Sequence, residues 1–340
     1  MDPGPSVPPA AFGDPDRGIF PRFGLPLGPV PHDKEDPGLS RIMRALIALV
    51  VILAVAGVGA LGTLVVLRAR DDASARGDAA VRDRVRVVAQ LVHDAIKDDV
   101  SAVIATTARP VFHLAVVNKN YVQTHGYLSE LLGTQPRLGA VAVYDGGGRL
   151  VVRIPNEPSI AGRLFSQQDY FRAARNSGFA HISSLFSQLG KPRVPVIAYS
   201  IRIFHHGGIY GVLAATTPIT QFDSLVAPYT PAGWTVRVYN KTGELVSPSK
   251  EASGKTYTTD PVVGPALKGG SGLYRTGGSI IATAPVADYG WAVSVSQPAK
   301  QANASLRRVT ERLALFAGGA FLLALIAATL AWSRRAPAES

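Results

Sequence analysis

The chain has 340 residues, a formal net charge of +11 at pH 7 and no cysteine. Its length accommodates one large or two small folded domains. The absence of cysteine excludes disulfide bonds, thiolate metal sites and cysteine nucleophiles. Because the positive charges are spread along the chain, a mildly basic solvated surface explains them, and we do not expect a nucleic-acid partner.

Residues 1–41 form an N-terminal segment that is rich in proline and glycine and has neither helical nor strand periodicity. This composition predicts a disordered tail. Such a tail could dock a partner through polyproline II segments, but we favour an inert tail.

Two uncharged apolar segments, 45–67 and 313–332, are long enough to cross a bilayer core, which takes a helix of about 20 residues. They predict transmembrane helices at 42–68 and 313–333. A buried core helix is the alternative for either segment. A cleaved signal peptide does not suit the first, which follows a long tail and exceeds the usual apolar run of about 7–15 residues.

A long amphipathic stalk helix is predicted at 69–109, directly after the first span. Its apolar residues recur every three or four positions, and the Arg109-Pro110 step ends or kinks it. A shorter helix follows near 121–132. The apolar stripe consists of Val81, Val85, Val88, Val92, Ile96, Val100 and Val103.

The next part of the chain is rich in predicted strands. Residues 139–154 form two β-rich runs around Asp145-Gly146-Gly147-Gly148, which is typical of a hairpin. Residues 164–177 have a helical pattern. A longer hairpin follows, with strands at 194–204 and 209–219 and a turn at His205-His206-Gly207-Gly208. Residues 220–227 are a short helix.

A second strand-rich block begins at Trp234 with WTVRVYNKTGELVS, which repeats the pattern of the first hairpin. GLYRTGGSIIATAPV and GWAVSVSQP are its closing strands, and a helix at 299–312 leads to the second apolar segment. The region between the apolar segments therefore contains two similar units, each a small antiparallel sheet carrying helices. The predicted fold class is α+β.

This layout resembles the double Cache (tandem PDC, PAS-like) extracytoplasmic sensor domain of bacteria, over about residues 70–305. The resemblance lies in VAVYDGGGRLV, LFSQQDYFRAARNSGFAHISSLF, KPRVPVIAYSIRIFHHGGIYGVLAATTPI and IATAPVADYGWAVSVSQPAKQA. It implies a membrane-distal unit at 110–230 that holds the ligand pocket and a smaller membrane-proximal unit at 231–300. The remaining segments are a connecting helix at 301–312 and a short cytoplasmic tail at 334–340.

The resemblance also implies a pocket wall at the start of the helix in the distal unit. The family often has an arginine at the position of Gln168, followed by an aromatic pair and an alanine. In its amino-acid-binding members the arginine pairs with the ligand carboxylate, and an aspartate at the position of Thr216 takes the ammonium. Leu164 stands where a tyrosine is expected.

The neutral residues at Gln168 and Thr216 cannot pair with the two charges of an amino acid, and an unpaired buried charge is costly. We therefore expect a pocket that does not use the usual amino-acid mode. A neutral polar ligand, or a monoanion held by Arg202 or by backbone N–H groups, fits better.

Further candidates come from the same unit. Tyr170 and Phe171 are adjacent helical residues that point about 100° apart, so we expect only one to face the pocket. Asp169 is better explained by its place at a helix N-terminus than by acid–base catalysis, and His205 and His206 are predicted as exposed turn residues. The predicted ligand-binding set is Gln168, Tyr170, Phe171, Ser184, Tyr199, Arg202 and Thr216.

The favoured function is a membrane-anchored sensor that binds a small molecule, uses no cofactor or metal and catalyses no reaction, since no catalytic motif is present. The alternative is a surface adaptor with a degenerate Cache domain. Because only a few residues follow the second span, the chain is either a fragment or signals through a separate partner or as a homodimer. Both termini are predicted in the cytoplasm of a bacterial cell, with residues 69–312 outside.

Overall fold

The computed structural model describes residues 37–188, 193–252 and 254–302, with isolated positions at 311, 315, 318, 319, 322 and 326. Residues 1–36 of the tail predicted at 1–41, most of the segments predicted at 301–312 and 313–333, and the tail predicted at 334–340 lie outside them. Backbone contacts divide the chain into two units, Met1–Val58 and Gly59–Ser340. Both sheets and the candidate site belong to the second unit.

Helix α1 (Pro37–Thr107) is the long N-terminal helix that the sequence predicts. Its apolar stripe is buried from Val81 to Val103, with the side chains at most 2% exposed except the half-buried Val100. The helix ends before Pro110, which holds the preceding Arg109 in an extended conformation, with ψ at 120°. Two shorter helices follow, α2 (Pro110–Val117) and α3 (Tyr121–Thr134).

Within the part of the chain that the structure describes, no single helix has both the length and the apolar character needed to cross a membrane. One bent pair, Gly59–Thr107 with Pro110–Val117 at 65°, satisfies the requirement by length and composition when the two are taken together. The spans at 42–68 and 313–333 therefore stay predictions.

The first sheet is antiparallel, with the strand order β2-β1-β6-β5-β3, and β4 pairs with β5 beside this path. Its strands are β1 (Ala140–Asp145), β2 (Leu150–Ile154), β3 (His181–Ile182), β4 (Phe186–Ser187), β5 (Pro195–His205) and β6 (Gly208–Pro218). A 3₁₀ turn (Pro158–Ile160), α4 (Asp169–Asn176), α5 (Thr220–Val226) and a second 3₁₀ turn (Ala227–Tyr229) accompany it.

Helix α4 is shorter than the helical pattern at 164–177 predicts. Residues 164–168 are not helical because their backbone is bound to the β1–β2 hairpin instead. Phe165 N–H donates to the carbonyl oxygen of Gly148 at 2.7 Å, and Leu150 N–H donates to that of Arg163 at 3.0 Å. These bonds bring the segment before α4 against the sheet.

The second sheet is also antiparallel and has the order β8-β7-β11-β10-β9. This is the topology of the first sheet, with the opening hairpin at one end and the closing strands inserted beside it. The α+β class with two antiparallel sheets is thereby confirmed. The elements are β7 (Thr235–Tyr239), β8 (Leu245–Ser247), a 3₁₀ turn (Ser249–Glu251), α6 (Gly264–Leu267), β9 (Gly272–Thr276), β10 (Ser279–Val286), β11 (Trp291–Pro298) and α7 (Ala299–Ala302).

The two faces of the first sheet belong to different cores. Alternate residues such as Val141, Val143 and Tyr199 join the α1 stripe in one large core, which continues into the second sheet. The intervening residues, among them Ala142 and Ala214, pack under α4 in a separate cluster. Since successive strand residues point to opposite faces, this division decides which side chains reach the candidate site.

Candidate functional site

A cavity of about 110 Å³ lies between the first sheet and α4. Small residues of β1 and β6 form its floor, and the segment before α4 and the β4 region form its walls. The residues that line it are Ala140, Val141, Ala142, Tyr144, Arg153, Ile160, Phe165, Gln168, Tyr170, Phe186, Ser187, Gln188, Ala214 and Thr216.

The β1–β2 turn fixes the wall that carries Gln168. The Asp145 carboxylate accepts hydrogen bonds from Gly147 N–H at 2.9 Å and Arg149 N–H at 2.8 Å, which closes the turn. Gly148 then has a φ of +89°, in the left-handed region that glycine adopts readily. Its carbonyl oxygen holds Phe165, so the turn sets where α4 begins.

Gln168 is the N-cap residue of α4, directly before its first helical residue. Its carbonyl oxygen accepts the N–H groups of Phe171 at 3.1 Å and Arg172 at 3.0 Å. Its side chain makes no capping hydrogen bond, although side chains at this position often do. The amide of Gln168 therefore lines the cavity as a neutral donor and acceptor.

Two buried phenols lie side by side in the cavity wall. The Tyr170 hydroxyl donates to the Tyr144 hydroxyl at 3.1 Å. Burial raises the pKa of both groups, and for Tyr170 the adjacent Tyr144 raises the pKa further. Both are therefore neutral at physiological pH and act as hydrogen-bond donors.

Thr216 lies on β6 at the far side of the cavity. Its hydroxyl donates to the carbonyl oxygen of Ala140 at 3.3 Å and accepts from the Gln188 amide at 3.3 Å. The hydroxyl is thus engaged by the protein. It is also neutral, so it cannot replace a carboxylate as the partner of a ligand cation.

Arg153 is a cavity residue that sequence reasoning missed. It stands opposite Ala142 across the β1–β2 hairpin and donates to the Pro155 carbonyl oxygen at 2.6 Å. Its positive charge acts on both phenols in the direction that lowers their pKa, as a lesser cause than burial. The alternation of side chains along Leu150–Ile154 could have predicted its place in the cavity, since Arg153 lies on the same face of the sheet as Ala142.

The structure brings three of the seven predicted residues to the cavity, namely Gln168, Tyr170 and Thr216. Phe171 is 1% exposed and packs in the cluster under α4, as expected when only one of two adjacent aromatics faces the pocket. Tyr199 lies on the opposite face of the sheet, in the core with α1.

The other two candidates also lie away from the cavity lining. Arg202 shares the α4 face of β5, but its guanidinium lies 5.0 Å from the Phe204 ring centroid, toward the far end of the strand. The carbonyl oxygen of Ser184 accepts a hydrogen bond from the Ser183 hydroxyl at 2.8 Å. Sequence alone gave no sign of Phe186, Ser187 and Gln188, which the short strand β4 and the residue after it bring to the cavity.

The histidines at the β5–β6 turn differ partly from the expectation. His206 is exposed, whereas His205 is half-buried, with its ring 4.0 Å from that of His206 and 5.9 Å from that of His113. Burial, followed by the two neighbouring histidines, lowers the pKa of His205. No group of three His, Asp or Glu side chains in the described ranges is arranged to hold a metal ion.

Comparisons with known proteins give matches at the level of structure. No protein-family model matches the sequence, and no curated protein matches it. The ligand-binding domain of the Pseudomonas fluorescens chemoreceptor CtaA in complex with L-leucine has a TM-score of 0.54 and 14% identity, over 68% of this chain and 97% of that chain. The ligand-binding domain of the Campylobacter jejuni chemoreceptor Tlp3 in complex with L-norvaline has a TM-score of 0.52 and 17% identity, over 68% and 94%.

An extracellular ligand binding receptor from Desulfohalobium retbaense is similar with a TM-score of 0.50 and 14% identity, over 63% of this chain. The match spans 39% of that receptor's length. At these identities the likeness concerns the fold. The chain has a fold similar to that of these bacterial ligand-binding domains, as the resemblance to double Cache domains in its sequence predicted.

Proposed function

We propose that the chain is a membrane-anchored sensor whose distal unit binds a small molecule in the cavity under α4. The observation that supports this most strongly is a cavity of about 110 Å³ with polar groups directed to it from two strands and one helix start. Ligand sites combine apolar walls with a few placed polar groups in this way. The solved relatives CtaA and Tlp3 hold amino acids in domains of the same fold.

The recognition mode proposed for this chain differs from that of an amino-acid receptor. Gln168 and Thr216 are neutral, and the Thr216 hydroxyl is already engaged by Ala140 and Gln188. A buried zwitterion needs a partner for each of its charges. A neutral polar ligand or a monoanion suits this lining better.

Signal transfer is proposed to run along the elements that touch both sheets. Helix α1 packs on both of them in one core. A second link between the two sheets lies near the pocket. Leu185, one residue before β4, donates its N–H to the Glu244 carboxylate of the β7–β8 turn at 3.2 Å. A ligand would shift the sensor only by binding its two states with different affinity.

Anchoring at 42–68 and 313–333, with both termini cytoplasmic, is part of the proposal. Several apolar side chains of the helical segment 45–67 are more than 45% exposed, and a bilayer would cover such a surface. These exposed side chains are those of Leu46, Leu49, Val50, Leu53, Leu61, Leu64, Val65 and Leu67.

A separate signalling protein or a second copy of the chain would receive the output.

The lack of cysteine gives a clean test of this orientation. A single cysteine at exposed Ser129 should react with a membrane-impermeant maleimide on intact spheroplasts, whereas one at Ser6 should react only after lysis. Labelling of Ser6→Cys before lysis, or recovery of the chain in the soluble fraction, would contradict the proposed topology.

Binding is tested by a thermal-shift screen of the full chain in detergent. Compounds of about six non-hydrogen atoms or fewer suit a cavity of this size, and at least one should raise the melting temperature saturably, because a ligand bound only to the folded state stabilises it. The twenty amino acids belong in the same screen. Clear shifts with several of them would contradict the proposed departure from the amino-acid mode.

A surface adaptor is the second candidate, and the size of the cavity favours it. The volume of about 110 Å³ is well below the roughly 300 Å³ at which typical ligand pockets begin. An adaptor should respond to no small molecule, and filling its cavity should change nothing except stability.

A further inference from the structure

We propose that the cavity under α4 takes a small monocarboxylate of about two or three carbons, an inference that rests on the proposed ligand-sensing function. The charge of the lining points to this class. Arg153 is a cation, and no aspartate, glutamate, lysine or histidine stands among the described residues that line the cavity. A single buried negative charge on the ligand would therefore find one positive partner.

The neutral groups around Arg153 also suit an anion. The Tyr170 hydroxyl donates a hydrogen bond to the Tyr144 oxygen, which leaves the Tyr144 O–H available to donate to a ligand. The Gln168 amide, which makes no cap at α4, supplies N–H donors at the same wall. Guanidinium, phenol and amide donors together form hydrogen bonds that are strongest to an ionised oxygen.

An ammonium group finds no comparable partner. The Thr216 hydroxyl donates to Ala140 and accepts from Gln188, so it is engaged on both sides. The remaining acceptors in the described lining are neutral, and the Arg153 charge repels a cation. Burial of an ammonium group without a carboxylate partner is costly, so amines and amino acids are disfavoured.

The volume limits the length of the ligand. About 110 Å³ is well below the roughly 300 Å³ at which typical ligand pockets begin, so only a short ligand suits the cavity. Acetate and propionate suit that space, whereas a branched or aromatic side chain would have to move Tyr170 or Phe186. Apolar contacts for a short alkyl group come from Ala142, Phe165 and Ala214.

Four compounds of similar size that differ mainly in charge test the proposal on the full chain in detergent. Propionate, propionamide, propylammonium and alanine would each be titrated by calorimetry and by thermal shift. Propionate should bind saturably, propionamide about 10-fold more weakly or worse, and the other two without a measurable shift, because hydrogen bonds to a charged group are the stronger ones.

Substitutions of Arg153 test whether its guanidinium is the group that pairs with the ligand carboxylate. Arg153→Gln should weaken propionate binding about 10- to 100-fold, and Arg153→Lys should retain part of the affinity because it keeps the charge. Arg149→Gln is the matched control, since this exposed arginine of the same hairpin donates to a loop carbonyl oxygen, that of Gly162, at 3.1 Å. It should bind propionate as the wild type does.

Three results would overturn the proposal. The first is that propionamide or alanine binds at least as tightly as propionate. The second is that folded Arg153→Gln binds propionate with unchanged affinity. The third is that Arg202→Gln, rather than Arg153→Gln, loses propionate binding. If propionate fails while a neutral compound raises the melting temperature, this inference is wrong and the sensor function stands. If no compound in the series or in the wider screen binds, the sensor function fails with it.

Discussion

At the residue scale, Gly148 connects the β1–β2 turn to the wall of the cavity. An added Cβ there would lie 2.7 Å from the backbone nitrogen of Ser166 and 2.8 Å from its Cα, and the φ of +89° is itself unfavourable for other residues. Because both neighbouring atoms are backbone, the contact cannot be relieved by turning a side chain. Gly148 therefore fixes the segment that carries Phe165 and Gln168.

Gly148→Ala should lower the free energy of unfolding by at least about 1–2 kcal/mol, the cost of a left-handed non-glycine residue, with the steric clash in addition. Gly147→Ala is the control, since its added Cβ meets only the Asp145 carboxylate at 3.4 Å. Urea unfolding of the full chain in detergent measures both. Equal losses in the two variants would contradict the role given to Gly148.

Asp99 is a charged residue of α1 that is 1% exposed. Arg137 donates to its carboxylate at 3.0 Å, and Tyr199 lies close by on β5. Burial raises the pKa of Asp99 above its ordinary value, and the hydrogen bond from Arg137 opposes that rise only in part. Between the ordinary and the raised pKa, the folded chain therefore binds more protons at this site than the unfolded chain.

It follows that the contribution of Asp99 to stability decreases as the pH rises through that window. The free energy of unfolding of the wild type minus that of Asp99→Asn should fall as the pH rises above about 4, the ordinary pKa of an aspartate. Asp94→Asn, an exposed aspartate of the same helix whose carboxylate accepts a hydrogen bond from Gln90, should leave the pH dependence of the wild type in place. A difference that rises with pH would mean that the Arg137 pair outweighs burial.

Residue-level prediction from the sequence succeeded where strand or helix alternation alone decides the direction of a side chain. Gln168 and Thr216 reached the cavity because the family pattern fixes their elements. Arg202 did not, although it lies on the correct face, because position along β5 matters as much as face. Arg153 was on the correct face and in the correct hairpin, and applying the same alternation to β2 would have found it.

At the scale of elements, α1 holds the fold together through its valine stripe, which meets both sheets. Val92 is fully buried in that core, whereas Val87, five residues earlier on the same helix, is 49% exposed. The helical period alone predicted this contrast in burial, without reference to the sheets. The two residues give a matched pair for measuring what the stripe contributes.

Val92→Ala should lower the free energy of unfolding by about 1–3 kcal/mol, from lost apolar burial and the cavity left behind. Val87→Ala should stay within about 0.5 kcal/mol of the wild type. Urea unfolding of both variants of the full chain measures the difference. If the two variants lose the same amount, the stripe is not the packing face of α1.

Prediction at this scale was limited by contacts between distant segments. Periodicity located every strand of the two long hairpins and the short α5 helix within a few residues. It overextended α4, because the bonds from Phe165 and Arg163 to the β1–β2 hairpin cannot be seen locally. The short strands β3 and β4 were missed for the same reason, since they exist only by pairing with β5.

At the scale of the whole molecule, the two sheets share one topology and are linked through α1 and through the hydrogen bond from Leu185 to Glu244. The proposed ligand acts at the first sheet, in the cavity under α4. The proposed sensor function requires above all that the cavity under α4 be a binding site rather than a packing defect.

Filling the cavity tests that claim most directly. Ala214 is 2% exposed and lines it, so Ala214→Leu would occupy the space while adding apolar contacts. The measurement is the rise in melting temperature that a saturating compound from the screen causes in the wild type and in this variant. We predict a clear rise in the wild type and none in Ala214→Leu, whose unliganded form still unfolds cooperatively. An equal rise in both chains would contradict the account.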